Sequence, residues 1–554
     1  MEKIWLKSYA KSVPAEIEFE KITLPEALTR TAKRFPERPA LFFQGTTITF
    51  SRLDDMVSRF AAGLRSLDVK PGDTVALLLP NLVQTVVSIY GSLRAGATVA
   101  LNNPLYTDRE LEHQYNDSGS KYLVCLDVLV PRMVNLRSRT GITKIVSCHI
   151  RDFLPFPLKQ LFPFVRKGMH LKTPSAPDVY EFMDFVKKYQ PITDPHKPGW
   201  DDTAFLLYTG GTTGVSKGVQ LTQGNLSCNV QQIRAWFRDF EDGNEIVVGC
   251  LPFFHSFGMT TAMNMGIFFG YGDVLIPKPE PKVILESISK YKATYLPAVP
   301  TLYNGMINFP DLKKYDISSL RGCFSGGAPL PMDTIKSFEK LTGSQICEGY
   351  GLTETSPVAT VNPFGGKTKL GTIGLPIPNT LVKLVDVDDY DKEITTIGEP
   401  GELCVKGPQV MAGYINRPEE NAVALRDGWL LTGDIAVMDE EGYLSIVDRK
   451  KDMIISGGFN IYPRDVDEVL FAHPKILEGC AIGVPDDYSG ERIKAFVVLK
   501  EGETVTEEEI IEYCKQNLVK YKIPKYVEFV DSLPKSAVGK ILRKELKKID
   551  QEKK

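Results

Sequence analysis

The residues Tyr208-Thr-Gly-Gly-Thr-Thr-Gly-Val-Ser-Lys-Gly-Val219 follow an apolar stretch, Ala204–Leu207. Gly210, Gly211, Gly214 and Gly218 let the backbone turn tightly and aim N–H groups at an anion. Thr209, Thr212 and Thr213 add hydroxyl donors, and Lys217 adds a full positive charge. That combination is the chemistry of a polyphosphate cradle; the plainer alternative is a mobile surface loop. An ordinary P-loop ATPase is disfavoured. Its motif needs Gly-Lys-Ser/Thr, whereas here Ser216 precedes the lysine and Gly218 follows it.

Such a loop needs a rigid frame, and the flanking sequence predicts one. Short apolar runs at Thr74–Leu79, Ala204–Tyr208, Ile246–Leu251, Asp273–Ile276 and Thr294–Ala298 read as strands. Val83–Leu93, Leu226–Phe237 and Val283–Tyr291 carry helical patterns. The alternation predicts α/β layers with largely parallel sheets. After about residue 370 the strands become shorter, with turns at Gly398–Gly401, Asp427-Gly428 and Glu441-Gly442, which predicts a small β-rich subdomain. The charge run Asp448-Arg-Lys-Lys-Asp452 follows a strand at Tyr443–Val447 and marks a domain boundary. Beyond it, strands at Ala495–Leu499 and Tyr526–Phe529 and a helix at Glu507–Gln516 form a unit of their own.

Composition narrows the function classes. A 554-residue chain is long enough for several folding units. Its 66 Lys+Arg against 69 Asp+Glu leave no basic excess, so nucleic acid is not an expected partner. The nine cysteines are scattered singly, which argues against a zinc ribbon or a disulfide scaffold and favours a reducing compartment. The start lacks the apolar core of a signal peptide, and no run of 18 apolar residues occurs, so the expected location is cytoplasmic.

The loop resembles the phosphate loop of the AMP-forming adenylate ligases, which include acyl-CoA synthetases, aryl-CoA ligases and adenylation domains. The resemblance extends over nearly the whole chain. Leu251-Pro-Phe-Phe-His-Ser-Phe-Gly258, Ser325-Gly-Gly-Ala-Pro-Leu330, Gly349-Tyr-Gly-Leu-Thr-Glu-Thr355 and Tyr414 near Arg417-Pro418 are similar to family motifs and stand in family order. So are Gly428–Asp434, Asp448-Arg449, Ser456–Pro463 and Pro534–Lys540. Two positions depart from the pattern: Ser216 stands where the family usually has proline, and Gln223 where it often has histidine. The resemblance implies an α/β fold: a large N-terminal domain (1–448) of two α/β subdomains plus a β-barrel-like one, and a small mobile α+β C-terminal domain (449–554), with the hinge at 448–452.

It also implies a two-step reaction. A carboxylate attacks the α-phosphate of ATP to give an acyl-adenylate and pyrophosphate, and the thiol of coenzyme A then displaces AMP. Lys540 matches the lysine that bridges carboxylate and α-phosphate. Glu354 matches a carboxylate associated with Mg2+, which prefers oxygen ligands, and Thr353 a phosphate contact. The loop residues Thr209, Gly210, Gly211, Thr212, Thr213, Gly214 and Lys217 would hold phosphates. Gly349, Tyr350 and Gly351 would place an aromatic face on adenine, with Glu348 at its amine and Gly327 and Ala328 beside it. Asp434 and Arg449 match ribose contacts. Lys451 matches the pivot of the C-terminal domain, and Gly457 and Gly458 the approach of the pantetheine arm. His255, Phe257, Gly258, Met259, Gly326 and Gly327 would border the acyl pocket.

The sequence speaks less sharply about the acid. Most similar are the bacterial and archaeal long-chain fatty-acid–CoA ligases, so a medium- to long-chain fatty acid is the expected substrate. An aryl-CoA ligase or an enzyme loading a carrier protein is the alternative. Met259–Phe269 is apolar and helical, and fits either an acyl tunnel or plain core. The segment Phe153–Lys167 interleaves aromatics, prolines and basic residues, and fits either an insertion packed on its own domain or an irregular wedge at a membrane surface. Weak peripheral association with the inner membrane face and a homodimer are both compatible with this reading.

Overall fold

The computed structural model describes residues 3–209, 216–456, 459–486, 489–536 and 541–553. The chain divides into two compact units. One comprises Leu6–Leu381 with Lys406–Leu430; the other comprises Val382–Val405 and Leu431–Lys554, with the first five residues.

The larger unit is built on two sheets. In the nine-stranded sheet, the strands Ile346–Gly351, Gly322–Ser325, Tyr295–Ala298, Ile246–Gly249, Gly272–Leu275 and Pro39–Phe43 lie side by side, and each adjacent pair among them is parallel. The eight-stranded sheet has the order Gly413–Tyr414, Lys217–Thr222, Thr203–Thr209, Thr98–Leu101, Thr74–Leu78, Ser120–Leu126, Lys144–Cys148, Val179–Glu181. Its last six members are parallel throughout. Strands of this kind are buried on both faces, which is why they read as continuous apolar runs rather than alternating ones. The helix Val83–Ala95 is buried at every position, so layers pack it on all sides.

Sequence and structure differ mainly at element ends. The helix expected from Leu226 begins at Gln223, because Thr222 and Asn225 form a reciprocal cap. The helix expected from Val283 begins two residues earlier at Pro281, where the missing N–H costs nothing. The strand expected over Ile246–Leu251 stops at Gly249, and Cys250 N–H turns back onto the Val248 carbonyl. Met259–Asn264 winds as a π-helical stretch with every residue buried, and the following Met265–Phe269 is α-helical.

The 153–167 segment departs most from expectation. Its prolines predict an irregular wedge, yet Leu158–Val165 is an α-helix with Pro163 inside it and no buried residue. The helix is short and water-exposed, so the carbonyl that Pro163 leaves without an N–H can turn to solvent.

The smaller unit holds strand Glu393–Ile394 and residues 434–438, paired antiparallel with their partners at 384–385 and 444–449. It also contains a five-stranded sheet centred on the long hairpin Ile476–Asp486/Gly490–Leu499. Helices Pro463–Ala472 and Glu507–Asn517 cover it, burying Val466, Leu470, Ile510 and Cys514.

One side chain joins the two sheets of the larger unit where the site will lie. Asn81 is 2% exposed. Its amide donates to the carbonyls of Gly249 (2.9 Å) and Leu251 (2.7 Å), and its oxygen accepts from Phe253 N–H (2.8 Å). Asn81→Ala removes all three bonds and strands buried backbone groups, each worth about 1–3 kcal/mol. Its urea unfolding should begin at clearly lower denaturant than that of the wild type, with a loss of about 3 kcal/mol. An unchanged unfolding midpoint contradicts this role.

Candidate active site

The phosphate-loop motif is the connection of an antiparallel hairpin. Thr203–Thr209 and Lys217–Thr222 pair in register, ending with Thr209 opposite Lys217. Residues 210–215 lie outside the described residues. Both stems are pinned by one helix, Asp108–Asp117, which is started by the cap Thr107/Glu110. His113 Nε2 is 2.8 Å from the Ser216 carbonyl, and the Tyr208 hydroxyl donates to Asp117 Oδ2 at 3.0 Å. These contacts anchor the described ends of the hairpin, at Tyr208 and Ser216.

Gly413–Tyr414 pairs antiparallel with the hairpin's second strand, Tyr414 opposite Val219. This brings three chemically distinct groups together. The Tyr414 hydroxyl donates to Glu354 Oε1 at 2.8 Å. The Lys217 ammonium lies 5.3 Å from the Tyr414 ring centroid and 3.8 Å from Glu420 Oε1. Burial, and then the Glu354 carboxylate, push the Tyr414 phenol up, so it remains a donor at neutral pH. The strand carrying Tyr414 is held in turn by Asn225, whose amide donates to the carbonyls of Pro408 and Val410, both at 2.8 Å. Met411 N–H donates to the Glu354 carbonyl at 2.8 Å.

Thr353 and Glu354 lie on a short 3-10 turn that follows strand Ile346–Gly351. A Cβ at Gly351 would fall 1.9 Å from the Pro357 carbonyl oxygen. Only glycine allows the chain to double back there, which explains its place in the motif. The Thr353 hydroxyl is 3.5 Å from Ser256 Oγ, linking this turn to the 251–258 motif. Tyr350 is half-buried beside it, while Glu348 is buried and accepts from Leu330 N–H at 3.0 Å. That bond ties Glu348 to the end of the Ser325–Leu330 stretch.

His255 begins the turn Ser256–Gly258, and its Nδ1 accepts from Phe257 N–H at 3.3 Å. Phe257 packs edge-on to Phe324 with centroids 5.3 Å apart. A Cβ on Gly326 would meet the Phe257 ring at 3.1 Å, so the aromatic fills the space that the missing side chain leaves. Gly258 and Met259 are buried in the same cluster. Gly327 is exposed with a left-handed backbone (φ +86°), and Ala328 is half-buried after it.

In the smaller unit, Asp434 and Arg449 face each other across paired strands, with Arg449 Nε 3.2 Å from Asp434 Oδ1. Lys451 sits in the turn after them, closed by Asp452 and Met453 N–H groups on the Arg449 carbonyl. The structure thus assembles Lys217, Glu354, Thr353, Ser256 and the 255–259 cluster in one unit and Asp434, Arg449 and Lys451 in the other. Gly457, Gly458 and Lys540 lie outside the described residues.

Sequence reading gave no role to Tyr414 and missed Glu420, Ser256 and Asn225. The signal for Tyr414 was present in its spacing from Arg417-Pro418. Its bond to Glu354 depends on strand pairing that no local pattern reveals.

Residues 28–415 match the AMP-binding enzyme family and residues 465–540 its C-terminal domain. The chain belongs to the AMP-binding enzyme family. Among its relatives, a long-chain-fatty-acid–CoA ligase of Bacillus subtilis is 44% identical over 98% of each chain. One of Yersinia pestis is 43% identical over 99% of this chain and 98% of its own. The crystal structure of ATP-bound MatB from Rhodopseudomonas palustris superposes with a TM-score of 0.83 at 30% identity, covering 95% of this chain and 99% of that one. In this AMP-binding enzyme, Tyr414→Phe should keep the fold and remove one charge-assisted bond, worth about 1.5–3 kcal/mol. ATP-dependent pyrophosphate release should fall by roughly 10- to 100-fold, and a rate equal to the wild type would show that the hydroxyl is dispensable.

Proposed function

We propose that this enzyme is an AMP-forming fatty-acid–CoA ligase that activates a medium- to long-chain acid with ATP and passes the acyl group to coenzyme A. The observation that carries this reading is the 44% identity, over 98% of each chain, to a relative named as a long-chain-fatty-acid–CoA ligase. The geometry of the Lys217, Tyr414 and Glu354 group supports it, because the first half-reaction must hold two anions against each other. Fixed cations and dipoles aimed at developing charge are the largest lever available for that.

In this reading the hairpin backbone, Thr209, Thr212, Thr213 and Lys217 hold the phosphates. Tyr350 stacks on adenine, with Glu348 on its amine, and Asp434 and Arg449 take the ribose. Mg2+ prefers oxygen ligands, so the Glu354 carboxylate, one oxygen of which accepts from the Tyr414 hydroxyl, would hold that ion, which supplies charge neutralisation at the phosphates. Tyr414 orients the Glu354 carboxylate. Lys540 neutralises the carboxylate and α-phosphate as they meet. His255 and the Phe257, Gly258, Met259 cluster border the acid, together with Gly326 and Gly327. Residues 449–554 then turn about Lys451, bringing Gly457 and Gly458 to the thiol arm.

A pyrophosphate-release screen over acids of graded chain length and benzoates, with and without coenzyme A, tests the reading. Long-chain acids should be turned over best; preference for benzoates, or thioester formation only on a carrier protein, replaces it. Lys540→Ala should lose ~10²–10³ in adenylation yet still convert supplied acyl-adenylate to thioester. Lys451→Pro, with φ fixed near about −65°, should accumulate adenylate instead. Equal damage to both half-reactions in either variant removes that assignment.

The same reading includes weak docking at a lipid surface, where such acids partition. No helix among the described residues is long and apolar enough to cross a membrane. The Leu158–Val165 helix, however, exposes Phe164 (76%) and Val165 (71%), with Phe156 (83%) before it. Between residues 151 and 172 the sequence places Arg151, Lys159, Arg166, Lys167 and Lys172 against the single acid Asp152. Phe153 and Leu154 instead face inward, towards Phe182 and the core. Basic residues at an anionic surface contribute about 1 kcal/mol each, and salt weakens them. Wild type should co-sediment with anionic liposomes at low salt and not at high salt, and a Phe156→Ser/Phe164→Ser/Lys159→Glu variant should stay in the supernatant. Wild type remaining in the supernatant at low salt assigns the segment a purely structural role.

A further inference from the structure

At the edge of the eight-stranded sheet remote from the Lys217 hairpin, the chain gathers a second set of reactive side chains. The strands Ser120–Leu126, Lys144–Cys148 and Val179–Glu181 are neighbours, with Leu126 opposite Cys148 and Ser147 opposite Glu181. Asp127 and His149 directly follow the first two strands, and Glu181 closes the third. His170 returns to them near the end of the 150–172 segment. Two of the chain's six histidines therefore converge on one aspartate. His149 Nδ1 is 2.7 Å and His170 Nδ1 2.9 Å from the same oxygen, Asp127 Oδ2. Asp127 is 1% and His149 7% exposed.

We propose that Asp127, His149 and His170 form a binding site for a divalent transition metal, with zinc the best-fitting ion, separate from the nucleotide site. Four features carry this. The ligand set is two imidazoles and a carboxylate, the donors that suit zinc and leave a fourth position open. One ligand atom from each residue lies within 4.8 Å of the others. For metal–ligand bonds of about 2.0–2.1 Å, a tetrahedral edge is ~3.3 Å, so the two short contacts need open by only about half an ångström. The surrounding groups are those that orient metal ligands. His149 Nε2 lies 2.9 Å from Glu181 Oε2 and 3.2 Å from Thr173 Oγ1, which fixes the ring with Nδ1 facing inward. Asp127 is itself held by the N–H groups of Val128 (3.0 Å) and Leu171 (2.8 Å).

Magnesium is a poor fit, since it prefers oxygen donors and two of the three here are nitrogens. Without a metal, protons hold the same contacts, with Asp127 accepting from both rings. A bound ion would clamp the 150–172 segment to the sheet through His170. It would take no part in phosphate chemistry, because three strands separate this edge of the sheet from the Lys217 strand.

The test uses the full chain, stripped with chelator and then given Zn2+ alone, without ATP. Wild type should retain one zinc per chain after desalting. It should show a visible absorption band from a four-coordinate centre when Co2+ replaces zinc. Cleavage within 150–172 by a limiting protease should slow severalfold on adding metal. A His149→Gln/His170→Gln variant should lose all three responses and keep its rate of pyrophosphate release. If that variant fails to fold, Asp127→Asn, which preserves shape, carries the comparison. The proposal is overturned if wild type retains no zinc, or if the variant retains as much as wild type; the cluster is then a proton-bonded clasp.

Discussion

Lys217 and Glu354 carry opposite charges on neighbouring elements, and a direct ion pair between them would cancel the two groups to which the proposed reading assigns the phosphates and their counter-ion. Tyr414 stands between them. Its hydroxyl occupies one carboxylate oxygen of Glu354, and its ring face lies towards the Lys217 ammonium. Glu420, at 3.8 Å, balances that ammonium only loosely. The rest of the unit maintains this separation. Strand pairing fixes Tyr414 to Val219, Asn225 holds the approach to it, and Gly351 lets the Glu354 turn come close enough to be reached.

Much of this architecture is legible in the chain because it follows from burial. Strands flanked by layers on both sides must be apolar throughout, so the runs at 74–78, 204–208 and 295–298 could be read directly. Helix starts required a second signal, the cap, and were misplaced where it was overlooked, as at Thr222. Membership of the family was legible by resemblance, since the residue types and order of its motifs are unusual.

What the sequence did not disclose is adjacency. Tyr414 and Glu354 are 60 residues apart, and His170 and Asp127 are 43 apart. In each case contact depends on which strands lie side by side and where a long connection returns. The helix at 158–165 was hidden for a different reason. Its prolines argue against regular structure, and only its exposure makes the lost backbone bond tolerable. Composition alone could not distinguish a buried proline from a hydrated one.

All nine cysteines are buried and unpaired. Burial also raises their thiol pKa values, to about 12 at Cys228 and Cys250 and about 11 at Cys514. An acyl-adenylate is an electrophile, and its intended acceptor is a thiolate. Any surface cysteine of ordinary acidity would be a rival nucleophile held permanently at high local concentration. Keeping every cysteine thiol protonated and out of reach leaves the incoming cosubstrate as the one competent thiol, and so guards the enzyme against acylating its own sulfur.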